Sequence, residues 1–127
     1  MKTNKKYQLG LFYMVHLLIN VDGMVDEKER AVLSKIKTIE KIPDSVFHEF
    51  ESEIARKKER EIYHLGIEML NACSKEEKLT SFVHLYKMSE ADGRVHVKEV
   101  RLLLYSIRQA GIEFDDVVRQ AKQLNSY

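Results

Sequence analysis

From Leu9 to Val21 the chain is almost continuously apolar. Leu9, Phe12, Tyr13 and Leu17 form one helical stripe, and Leu11, Val15, Leu18 and Ile19 cover the other faces. A helix apolar on every side is one buried on every side, so a helix over residues 5–21 is expected at the centre of the fold. An amphipathic helix is expected over 27–39, with Ala31, Val32, Ile36 and Ile39 turned inward. Pro43 then stops the chain and suits the first turn of a third helix, which carries Val46, Phe47, Phe50 and Ile54. Beyond a polar stretch over 55–61, Ile62, Leu65, Met69, Leu70 and Cys73 mark a fourth helix. Ser74-Lys75-Glu76-Glu77 is a capping box, in which Ser74 bonds forward and Glu77 bonds back to the unpaired amides of a helix start. It opens a fifth helix, and Leu79, Phe82, Val83, Leu85, Tyr86 and Met88 predict that this one too is buried all round. A sixth helix over 97–109 ends at Gly111, and a seventh spans 114–124.

The pattern repeats. An offset of 70 residues aligns Val21-Asp22-Gly23-Met24-Val25-Asp26-Glu27-Lys28-Glu29 with Ala91-Asp92-Gly93-Arg94-Val95-His96-Val97-Lys98-Glu99, with five of nine positions identical. Phe12, Val15 and Leu18 align with Phe82, Leu85 and Met88 before the motif, and Val32 and Leu33 with Leu102 and Leu103 after it. The expected architecture is therefore all-α, with about seven helices in one domain over 1–127. It is an internal duplication with halves at about 5–40 and 75–110, whose two buried helices pack centrally about a pseudo-twofold axis.

Composition narrows the class without naming a chemistry. A length of 127 residues suits one domain. Cys73 is the single cysteine, so there is no disulfide framework and a reducing, cytoplasmic setting is expected. One proline and five glycines argue against a turn-rich β fold. Twenty-one basic and 20 acidic residues leave a net charge of +1, which removes any global attraction to nucleic acid. Lys2, Lys5 and Lys6 before the first apolar run imitate a signal peptide. Gln8, His16 and Asn20, with Asp22-Gly23 where a cleavage site would stand, argue against that reading. The run is also too short to cross a bilayer, so an integral membrane protein is not expected.

Two readings stand for the Asp-Gly corners. In the first they are turn chemistry. Gly23 and Gly93 take the left-handed conformation at a helix end, Val25 and Val95 pin the connection, and Asp26 with Glu29 forms another capping box. In the second they bind a cation. Asp22 and Asp92 sit near a helix C-terminus, where a carboxylate is unfavourable unless compensated. The spacing Asp-Gly-x-Val-x-x-x-Glu also matches the second half of an EF-hand loop. The first half of that loop is missing, since its opening acid would be Leu18 or Met88. A site shared between the halves remains, with Asp22, Glu29, Asp92 and Glu99 as ligands and Asp26 and Glu90 as additional ones. Oxygen donors suit Ca²⁺, Mg²⁺ or Mn²⁺.

The doubled motif, each copy following a buried helix, resembles the TerB-like family, whose mark is (Ala/Val)-Asp-Gly-x-(Val/Ile)-x-x-x-Glu in each half of a duplicated helical domain. The resemblance spans roughly 5–124. It implies seven helices around two central ones and a cytoplasmic, non-enzymatic role in bacterial stress responses of the tellurite-resistance kind. It also implies divalent-cation binding through Asp22, Glu29, Asp92 and Glu99, and protein partners in assemblies near the membrane. His96 departs from the pattern and weakens the second copy as a hard-cation site.

No catalytic constellation is legible. The histidines His16, His48, His64, His84 and His96 show no four-residue spacing of a helical zinc site, and His16 and His84 are expected at core or boundary positions. Cys73 is expected as a buried core thiol. Arg56-Lys57-Lys58-Glu59-Arg60 is expected to be a solvated helix junction, and the last helix to pack on its own domain. No cofactor is expected other than the divalent cation, Ca²⁺, Mg²⁺ or Mn²⁺. The competing function is a protein-interaction module, an inhibitor or immunity-type partner, that keeps the fold without the cation.

Overall fold

The computed structural model describes residues 5–19, 27–91 and 97–123. Among them are seven helices: α1 (Lys5–Ile19), α2 (Glu27–Ile39), α3 (Asp44–Arg56), α4 (Glu59–Asn71), α5 (Lys75–Ala91), α6 (Val97–Gln109) and α7 (Phe114–Gln123). Every side-chain position from Tyr7 to Leu17 is buried, so α1 is enclosed on all faces, as its pattern requires. It packs against α2, α3, α4, α5 and α6, most extensively against α4. Among the described side chains of α5 the buried stretch is shorter: Ser81 to Leu85 are buried and Leu79 and Tyr86 are half-buried, while the side chain of Met88 lies outside the described set. This helix contacts α1, α4, α6 and α7.

The close approach of α1 and α4 depends on two glycines. A Cβ at Gly10 would stand 3.0 Å from Leu70 Cγ and Cδ2 and 3.3 Å from the Gly66 carbonyl oxygen. One at Gly66 would stand 3.2 Å from Met14 Sδ and 3.3 Å from Tyr13 Cβ. Glycine inside a helix costs about 1 kcal/mol relative to alanine; here it lets the two backbones meet. On the other side of α1, Phe12 and Tyr13 pack with Phe47 and Phe50 of α3, the Phe12–Phe47 pair edge-on at 5.5 Å. Phe12, Tyr13 and Phe50 are fully buried, each contributing roughly 1.5–3 kcal/mol, and Phe47 is half-buried.

The elements begin and end where local chemistry directs. Pro43 is the N-cap of α3. Ser74 and Glu77 form the reciprocal capping box, Glu77 N–H donating to Ser74 Oγ at 3.1 Å and Ser74 N–H to Glu77 Oε1 at 3.0 Å. Between α3 and α4, Arg56 and Lys57 pair with Glu53, and the basic run is a helix junction. α7 lies on its own domain, burying Val117 and Ala121. Three inward assignments need correcting. Ala31 is exposed and Ile39 is 53% exposed, because the buried side of α2 is carried by Leu33 and Ile36. Cys73 falls just beyond α4 and is half-buried, its thiol donating to the Met69 carbonyl at 3.3 Å.

The α2–α3 and α6–α7 corners are built alike. In the first, Glu40 N–H donates to Ile36 O, Lys41 N–H to Thr38 O and Ile42 N–H to Lys37 O. In the second, Ala110 N–H donates to Ser106 O, Gly111 N–H to Arg108 O and Ile112 N–H to Ile107 O. Both are Schellman endings, with the left-handed residue one position past the cap. Lys41 (φ 53°) and Gly111 (φ 73°) are the positive-φ positions among the described residues, and they stand 70 apart in sequence. Ile42 and Ile112 follow and are both buried.

Candidate functional site

Asp22, Asp26 and Asp92 lie outside the described residues, as does His96. The backbones of Glu29, Glu90 and Glu99 belong to α2, α5 and α6, but their side chains lie outside the described set. Among the described residues, no three His, Cys, Asp or Glu side chains are grouped to hold a metal ion.

The polar cluster that is described lies elsewhere, beneath the α2–α3 corner. Glu40 follows the last turn of α2, an electrostatically poor place for a carboxylate. Two buried donors meet it there. His84, in the buried middle of α5, places Nε2 2.7 Å from Glu40 Oε1. Tyr7, on α1, donates its hydroxyl to the same oxygen at 3.1 Å. Burial is the largest influence on Glu40 and pushes its carboxyl up. The hydrogen bond and charge of His84, with the Tyr7 hydroxyl, outweigh it and hold the group below its usual 4.5. An ionised carboxylate only accepts, so His84 carries its proton on Nε2. The arrangement ties α1, the end of α2 and α5 to one oxygen atom, which makes it a clamp. Sequence reading placed His84 at the core but gave no role to Glu40 or Tyr7. A carboxylate at a helix end beside an aromatic-rich buried helix was the available signal.

The other histidines do different work. His16 is buried and meets Phe50 edge-on at 5.9 Å, while His48 and His64 are exposed. The Tyr13 phenol is pushed up to about 12, by burial first and then by Glu53 and Glu49, so it remains a neutral member of the aromatic cluster.

At the α6–α7 corner the surface is open. A groove of about 670 Å³ is lined by Arg101, Leu104, Tyr105, Arg108, Glu113 and Phe114 among others. Leu104, Tyr105 and Phe114 are 44%, 53% and 38% exposed. Tyr105 also lies against Tyr63 of α4, ring centroids 6.0 Å apart.

The described architecture is an all-α bundle, and no described helix is long and apolar enough to cross a membrane. The chain matches no family model, and no curated protein or solved structure is significantly similar to it.

Proposed function

We propose that this chain is a TerB-like domain: a duplicated, non-enzymatic, cytoplasmic protein of bacterial stress response, of the tellurite-resistance kind, working with protein partners near the membrane. Its two Asp-Gly corners come together about a pseudo-twofold axis and share one divalent cation, Ca²⁺, Mg²⁺ or Mn²⁺. Asp22, Glu29, Asp92 and Glu99 supply the ligands, with Asp26 and Glu90 adding to them. The observation that carries this reading is the element order. One Asp-Gly motif stands between α1 and α2 and the other between α5 and α6, in each case where a helix with a buried core stretch hands over to a second helix. The matching Schellman corners 70 residues apart support the duplication.

Calorimetric titration with each ion tests it. Binding is expected with a melting-temperature rise at millimolar ion, because a ligand of the native state stabilises it. Asp92→Asn and Glu29→Gln should each weaken it. No heat and no shift with any of the three ions would remove the cation. The alternative is an interaction module without metal, and the observation that favours it is the open groove at α6–α7.

A further inference from the structure

We infer that the α6–α7 groove docks an acid-flanked, amphipathic helical segment of a partner protein. The inference rests on the interaction reading and is independent of any cation.

Arg101, Leu104, Tyr105 and Arg108 are spaced i, i+3, i+4, i+7 on α6, so they form one face. The residues turned the other way, Leu103, Ser106, Ile107 and Ala110, are buried and hold the helix to the domain. The stripe on the other side stays exposed, with Tyr105 also lying against Tyr63 of α4. Phe114, the first residue of α7, extends it across the corner and meets Tyr86 edge-on at 5.9 Å.

The other corner shows that the backbone does not require this apolar surface. Seventy residues earlier, the positions equivalent to Arg101, Leu104, Tyr105, Arg108 and Phe114 are Ala31, Ser34, Lys35, Thr38 and Asp44. All five are exposed. The same Schellman ending is thus built with Ser, Lys, Thr and Asp outside it in one half, and with Leu, Tyr, Arg and Phe in the other.

Charge complementarity identifies the occupant. Arg101 and Arg108 stand two helical turns apart, a rise of about 10 Å, with Leu104 and Tyr105 between them. Among the described residues neither arginine makes an ion pair. A matching segment carries two carboxylates about two turns apart, with apolar side chains between them to cover Leu104, Tyr105 and Phe114, the helix-in-groove mode of recognition. Arginine and tyrosine are the residue types that most often anchor such contacts. Two arginines around an apolar floor, with Glu113 in the lining, favour a protein segment over a nucleic acid, which asks for a longer basic stripe.

The test is selection from a displayed library of random 15-residue peptides against the whole chain. Binding of the selected peptides is then measured by fluorescence anisotropy on the wild type, on Arg101→Glu with Arg108→Glu, and on Leu104→Ser with Tyr105→Lys. These positions are exposed, and unchanged melting curves verify that each variant folds. The expected result is enrichment of sequences with acids flanking an apolar pair and affinity that falls as salt rises. Loss of at least tenfold in both variants is expected, with recovery on the Glu variant when lysines replace the peptide's acids. Peptides that bind both variants as well as wild type would overturn the groove while leaving the interaction reading in place. Failure to select any peptide would overturn both. Tighter binding of a 20-nucleotide oligouridine than of the peptides would overturn the protein partner. Self-association that the two variants abolish would assign the groove to a second copy instead.

Discussion

The α2–α3 and α6–α7 corners share a backbone and differ in what surrounds it. Both end a helix with the same three hydrogen bonds and a left-handed residue, and both then bury an isoleucine. At the first, Glu40 is drawn to His84 and Tyr7 and the corner is fastened to the core. At the second, alanine replaces the glutamate, Lys78 Nζ reaches across to donate to the Ala110 carbonyl at 3.1 Å, and the outer face of α6 is left open. Chain geometry at a corner is thus set by a few backbone groups, which leaves the side chains free to seal one corner and expose the other.

Removing one partner of the clamp should have the largest effect. His84→Ala leaves an ionised Glu40 without its main donor, and a loss of about 2–3 kcal/mol is expected in denaturant unfolding. Arg108→Ala at the open corner should change stability by no more than about 0.5 kcal/mol. Equal losses would erase the distinction between the corners.

The left-handed positions make a finer comparison. Gly111→Ala introduces a Cβ that meets nothing within 4 Å, so its cost is purely conformational, about 1 kcal/mol. Lys41→Gly should go the other way and stabilise by about 0.5–1 kcal/mol, because glycine adopts φ 53° without penalty. Matched unfolding curves would show the opposite signs.

The smallest effect concerns acid. Glu40 is held below 4.5 in the folded chain. Its stabilising contribution is complete above that unfolded-chain value and is lost as pH falls through the lower folded one. Unfolding free energy measured against pH should fall less steeply below 4.5 in Glu40→Gln than in wild type, starting from a lower plateau at neutral pH.

Much of the helical frame is legible in the residues because its punctuation is local. Ser74 and Glu77 announce α5, Pro43 caps α3, and Gly111 follows α6, each through backbone chemistry within a few positions. Burial of α1 is equally legible, since apolar residues cover all its faces. The clamp is not, because Tyr7, Glu40 and His84 are separated by 33 and 44 residues and meet only once three elements have packed. Ile39 misleads for the same reason: periodicity shows that a helix has an apolar side but not how far its neighbour covers it. The expected cation ligands Asp22, Asp26 and Asp92 fall outside the described residues, and Glu29, Glu90 and Glu99 are placed by backbone alone. Their grouping rests on the sequence repeat.

Whether the two Asp-Gly corners share an ion is therefore the central question, and paramagnetic Mn²⁺ answers it most directly. In amide NMR spectra of the whole chain, substoichiometric Mn²⁺ should broaden the signals of Gly23 and Gly93 together and leave Gly111 sharp, and Asp92→Asn should abolish the broadening at both. Broadening at one corner alone, or at neither, would contradict a shared site.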